Sequence, residues 1–122
     1  MTGEVSDSMP VFEAPAVERR LLHDAELVKT VLCAFMQDLP RQVEELRELC
    51  ARRDIPAAER QAHSIKGACA NVGAMYARDL AFKAERAAHT ADVAQLAHLI
   101  DALEVAQQPL YTALQDYIAG TE

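Results

Sequence analysis

Four histidines, three cysteines and a spread of carboxylates are the side chains of this 122-residue chain best able to do chemistry. One of them stands apart by its setting. His63 opens the run His63-Ser64-Ile65-Lys66-Gly67-Ala68-Cys69-Ala70-Asn71-Val72-Gly73-Ala74. Drawn as a helix at about 100° per residue, this stretch puts Ala58, Ala62, Ile65, Cys69 and Val72 on one stripe. His63, Gly67, Ala70 and Ala74 then form the opposite, outer row, with Lys66 and Glu59 on one flank and Arg60 on the other. The outer row of a surface helix ordinarily carries Glu, Lys, Gln and Arg. Here it is nearly bare, and Gly67 costs about 1 kcal/mol relative to Ala in a helix interior. An imidazole in solvent with no bulk beside it is expected where another molecule must close over the ring. With a reference pKa of about 6.5, the ring is largely neutral at pH 7 and able to attack an activated phosphoryl group. Lys66, one turn on, would offset part of the added charge, on the order of 1 kcal/mol after solvent screening.

Other chemistries find less support. A two-metal site in a helix bundle calls for paired Glu-x-x-His motifs. Glu59-x-x-x-His63 and Glu85-x-x-x-His89 have the wrong spacing, so no metal is expected. Gly67 and Gly73 do not make a nucleotide loop, because no Gly-Lys-Ser/Thr follows and no strand precedes. There is no nucleophile elbow and no Cys/His protease pair. The expectation is therefore a nucleophile without its own active site, with no autonomous catalysis and no cofactor.

Nineteen acidic against twelve basic residues give a formal net charge of −7. Without clustered Lys and Arg, nucleic acid is not an expected partner. No apolar run reaches the roughly 18 residues needed to span a bilayer, and no signal-peptide pattern opens the chain. Cys50 and Cys69 fall on apolar stripes and Cys33 on an outer face, with no Cys-x-x-Cys spacing. They read as reduced structural thiols, and the expected location is the cytoplasm.

The elements that must position His63 are helical. Ala, Leu and Glu dominate, Gly is scarce and β-branched runs are absent, a composition that belongs to an all-α protein. Residues 1–12 read as a flexible arm, and residues 13–122 as a single domain. A short helix is expected from about Pro15 to Leu22. Asp24 should cap a long helix over about 24–52, with Val28, Leu32, Phe35, Leu39, Val43, Leu46 and Cys50 inside. That stripe keeps its phase through Pro40, so one kinked helix is expected rather than two. Asp54 and Pro56 start the His63 helix, which ends near Gly73. A third helix covers about 75–89, its inner face made of Ala77, Leu80, Ala81, Ala84 and Ala88. Thr90 is taken as the cap of the last, about 91–118, bent at Pro109 and ended by Gly120. Its seam is Val93, Leu96, Ile100, Leu103, Gln107, Leu110, Leu114 and Tyr117. The outcome is an antiparallel four-helix bundle with a short extra N-terminal helix, monomeric because its apolar stripes are used up inside one bundle.

The run from His63 to Ala74, with Glu85 near the end of the next helix, resembles the histidine phosphotransfer (HPt) domain family. That family's pattern is His-x-Leu-Lys-Gly, then Gly-Ala, then an Ala and a Leu-Glu pair one helix later. Helix order and lengths match over roughly residues 12–118. The resemblance implies a phosphorelay intermediate, taking a phosphoryl group from a response-regulator receiver aspartate onto His63 and passing it to another receiver. It implies Lys66 as the phosphate-stabilising cation and Gly67 as the residue that clears the approach. Mg²⁺ would belong to the partner's acidic pocket. Glu85 falls where the family often has Gln or Glu, leaving two readings: orienting the ring or bracing the bundle. Ile65 replaces the usual Leu, and Ala77 and Ala84 replace leucines. Glu59, Arg60, Ala70, Asn71, Ala74 and Phe82 are candidate partner contacts, with Arg78 and Lys83 weaker ones. His89 has no assigned role. Two other readings stay open. The chain could be the phospho-accepting domain of a chemotaxis-type or hybrid histidine kinase, or a module that sequesters receivers without being phosphorylated. The initiator Met and polar tail favour a stand-alone carrier.

Overall fold

The computed structural model describes residues 9–121, which form five helices and no strand. They are α1 (Ala14–Arg20), α2 (Ala25–Ala51), α3 (Ile55–Asn71), α4 (Met75–His89) and α5 (Val93–Thr121). Helices α2 to α5 form the antiparallel four-helix bundle, each packed on its chain neighbour and α5 closing back on α2. Helix α1 lies across one end, touching α2 and α3 and burying Val17. Among the described residues, no helix is long and apolar enough to cross a membrane.

Local chemistry accounts for most boundaries. The Asp24 carboxylate accepts from the Leu27 amide at 3.1 Å and Asp54 from the Ala57 amide at 3.4 Å, satisfying amides that a helix start leaves open. Helix α2 runs unbroken through Pro40, and all seven residues of its apolar stripe are buried. Pro40 and Pro109 both lie on exposed positions, where water can serve the carbonyls that lose an amide partner. Ala58 and Ala62 on α3 and Ala77, Ala81, Ala84 and Ala88 on α4 are all buried. These short side chains let the two helices approach closely, and α3 against α4 is the most extensive contact in the bundle. The buried residues are all apolar among those described. Across the bundle, Arg47 on α2 pairs with Asp101 at 2.9 Å and Glu104 at 3.1 Å on α5.

Four expectations need correction. The stretch expected to be a flexible arm is held at its end: Pro10 accepts from the Tyr76 amide at 2.9 Å, and the Phe12 ring meets Tyr117 edge-on at 5.3 Å. The held end, Met9-Pro10-Val11-Phe12, is itself apolar, so backbone pairing and ring packing fix it against the bundle; residues 1–8 lie outside the described residues. Thr90 does not cap the last helix. Its hydroxyl turns back onto the Arg86 and Ala87 carbonyls, while Asp92 accepts from the Gln95 amide at 3.1 Å and starts α5. Gly120 does not end α5, which continues to Thr121, because Gly120 takes no left-handed turn. Ala74 is fully buried rather than on the outer row. Helix α3 stops at Asn71, the chain turns at Gly73, and Ala74 becomes the N-cap of α4, so it no longer follows the phase of His63.

The turn at Gly73 has a steric reason. Its φ is +76°, and a Cβ there would come within 2.5 Å of the Glu13 carbonyl oxygen. The Glu13 amide in turn donates to the Gly73 carbonyl at 2.8 Å. The segment leading into α1 is thereby held against the α3–α4 turn.

Candidate functional site

His63 lies on the solvent side of α3, its side chain 66 % exposed. Its Nδ1 is 2.8 Å from Oε2 of Glu85, which α4 delivers across the alanine-lined contact. The other Glu85 oxygen, Oε1, is closed off from solvent and lies 2.8 Å from Nζ of Lys66, an ion pair rather than a well-angled hydrogen bond. One carboxylate therefore joins the imidazole to the cation one turn further along α3. Burial pushes the Glu85 carboxyl up, but the Lys66 ammonium and the His63 ring outweigh it and hold the group below the ordinary carboxylate value. Glu85 is thus ionised at neutral pH and can only accept. Neutral His63 must then carry its proton on Nδ1, leaving the Nε2 lone pair on the exposed ring.

The surroundings are sparse. A Cβ added at Gly67 would meet nothing within 4 Å, so the chain's own packing makes no demand for glycine there. The Lys66 ammonium lies 5.3 Å from the centroid of Phe82, and the Arg86 guanidinium 5.7 Å from the same ring. Phe82 is 39 % exposed despite carrying both cations.

The structure gathers most of the residues singled out from sequence on one α3–α4 face. His63, Gly67, Arg60 and Asn71 are exposed, Ala70 is half-buried, and Phe82 stands opposite on α4. Ala74 is not part of this face. Lys83 is engaged by Asp79 at 3.1 Å. Glu59 is also engaged, its Oε2 lying 3.1 Å from Nδ1 of His89. Spacing along the chain does not reveal that pair: Glu-x-x-x-His occurs at 59–63 and again at 85–89, and on antiparallel helices each histidine meets the other helix's acid. The three cysteines are unpaired, and burial pushes the Cys69 thiol up to about 12, leaving it unreactive at neutral pH.

The α3–α4 face of this all-helical bundle thus carries two carboxylate-anchored imidazoles, both open to solvent. The Hpt domain family model matches residues 30–109, from within α2 to within α5, and the chain belongs to that family. Hpt domains are phosphocarrier modules that act in two-component signalling with response regulators or kinases. Comparison with curated proteins and with solved structures finds no match.

Proposed function

We propose that this protein is a phosphorelay intermediate whose His63 accepts a phosphoryl group from a receiver aspartate and passes it to another receiver. The observation that carries the reading is the exposed ring of His63 with Nδ1 anchored on Glu85. In the accepting step the Nε2 lone pair forms a bond to phosphorus. The bond from phosphorus to the aspartate oxygen breaks, and its electron pair leaves on the carboxylate. No proton has to depart from Nε2, because Glu85 keeps the ring proton on Nδ1. The positive charge gained by the ring is then held against Glu85. Glu85 itself lies on the far side of the ring from the incoming group, and Lys66 offsets its charge. An acid at this position therefore serves the ring without repelling phosphate strongly.

Gly67 and half-buried Ala70 leave room for the partner, and Glu59, Arg60, Asn71 and Phe82 form the rim on which a receiver docks. Catalytic groups and Mg²⁺ are supplied by that partner, and this chain acts as a monomer without a cofactor of its own. A cytoplasmic location fits the unpaired thiols.

The test is phosphotransfer profiling against phosphorylated receiver domains, following acid-labile, base-stable phosphate. His63→Gln should abolish labelling while helicity and melting temperature stay unchanged, because the residue is exposed. Wild-type protein that no receiver labels would refute the carrier reading in favour of sequestration. Labelling by a kinase and ATP alone would instead make the chain a kinase substrate domain.

A further inference from the structure

The two His–Glu pairs on the α3–α4 face are reciprocal in position but not in surroundings. His63 is followed one turn later by Lys66 and Gly67; the corresponding positions after His89 hold Asp92 and Val93. His89 is also the last residue of α4, where the partial negative charge of a helix C-terminus disfavours an added phosphate. Although its side chain is 74 % exposed, His89 is thus poorly placed to accept a phosphoryl group. What its Nδ1 does hold is Glu59, the residue one turn before His63.

That acid needs holding. Side chains on a helix lean toward its N-terminus, so the His63 ring leans over the turn that contains Glu59. Residues four apart on a helix are neighbours, and an acid there pairs readily with a cationic or hydrogen-bonding partner. A released Glu59 can reach the His63 ring and favour either its protonated form or the tautomer with hydrogen on Nε2. Both remove the lone pair that attacks phosphorus. Glu59 and His89 line one groove together with Lys66, Phe82, Glu85 and Arg86, so the acid has a settled place across the helix pair.

We infer that His89 is a positioning residue for the phosphoryl site: it draws the Glu59 carboxylate across to α4 and so keeps it from capturing His63. This rests on His63 being the acceptor, and it adds that acceptance depends on a second imidazole that never touches the phosphoryl group. His89→Asn is the conservative variant, since the Asn amide nitrogen is as many bonds from Cα as the histidine Nδ1.

The experiment uses the full chain with phosphoramidate as a small phosphoryl donor, so that docking contacts do not enter. His89→Ala should slow phosphorylation of His63 about threefold. His89→Asn should stay near the wild-type rate, and adding Glu59→Gln to His89→Ala should restore it. In parallel, NMR titration of the His63 ring should show its pKa raised in His89→Ala and returned by Glu59→Gln. Equal rates and equal titrations for wild type and His89→Ala overturn the inference, as does a double variant no faster than the single one. Phosphate mapped to His89 would also overturn it. If wild type takes phosphoryl neither from phosphoramidate nor from receivers, the acceptor reading fails by itself. The titrations still decide whether His89 withholds Glu59 from His63.

Discussion

Glu85→Ala is the perturbation that bears most directly on the proposed chemistry, because it removes two contacts at once: Oε2 to His63 Nδ1 and Oε1 to Lys66 Nζ, each at 2.8 Å. A hydrogen bond to a charged group contributes about 1.5–3 kcal/mol where it is shielded. The exposed ring calls for a discount, to about 1 kcal/mol. If that energy holds the tautomer with hydrogen on Nδ1, its loss shifts the ratio of the two tautomers about fivefold toward hydrogen on Nε2, and lowers the reactive population by up to that factor, since 1.4 kcal/mol is a factor of ten. Phosphoryl acceptance should slow by the same order, while the core is untouched because every residue beneath the site is apolar. The assay pairs the initial rate of phosphorylation with nitrogen NMR of the imidazole, which reports the Nδ1–H fraction without any partner. A variant that keeps both the wild-type tautomer ratio and the wild-type rate would refute the argument that Glu85 orients the ring. The same carboxylate has a pH signature. Its folded pKa lies below the ordinary value of 4.5, so its contribution to stability is present above that value and is lost as pH falls through the folded one. Denaturation from pH 6 down to pH 3 should show a loss of stability in that acidic window, smaller in Glu85→Ala than in wild type.

Two glycines should respond in opposite ways. Gly67→Ala has open space around it and removes a helix-interior glycine, so it should raise stability by about 0.5–1 kcal/mol in chemical denaturation; Gly67→Gln should keep phosphoramidate labelling while weakening transfer from receivers. Gly73→Ala must accept a left-handed φ and a contact of 2.5 Å with the Glu13 carbonyl, so it should lose about 2 kcal/mol or more, read as a lower denaturation midpoint.

Much of this molecule is written locally. The period of the apolar residues sets which face of each helix is buried. The α2 stripe therefore came out intact through Pro40, and the exposure of His63 followed from its phase opposite Ile65 and Cys69. Asp24 and Asp54 cap their helices because an N-cap bond spans only three residues. Thr90 and Asp92 show the limit of such reading. Both can cap, and the left-handed turn at Ala91 decides that Asp92 starts α5 while Thr90 closes α4.

What the chain's pattern could not yield is who meets whom across helices. Glu85 had two readings from sequence, orienting the ring or bracing the bundle; α4 sets it against both His63 and Lys66, 22 residues from the ring it touches. The Glu59–His89 pair and the burial of Ala74 likewise depend on where α3 stops and how α4 crosses it. Helical phase is a property of consecutive residues, so the sequence by itself determined, within each helix, which side chains face water. Register between two helices depends on the fit of all their contacting residues together, and only the tertiary structure decided which of those exposed groups became partners.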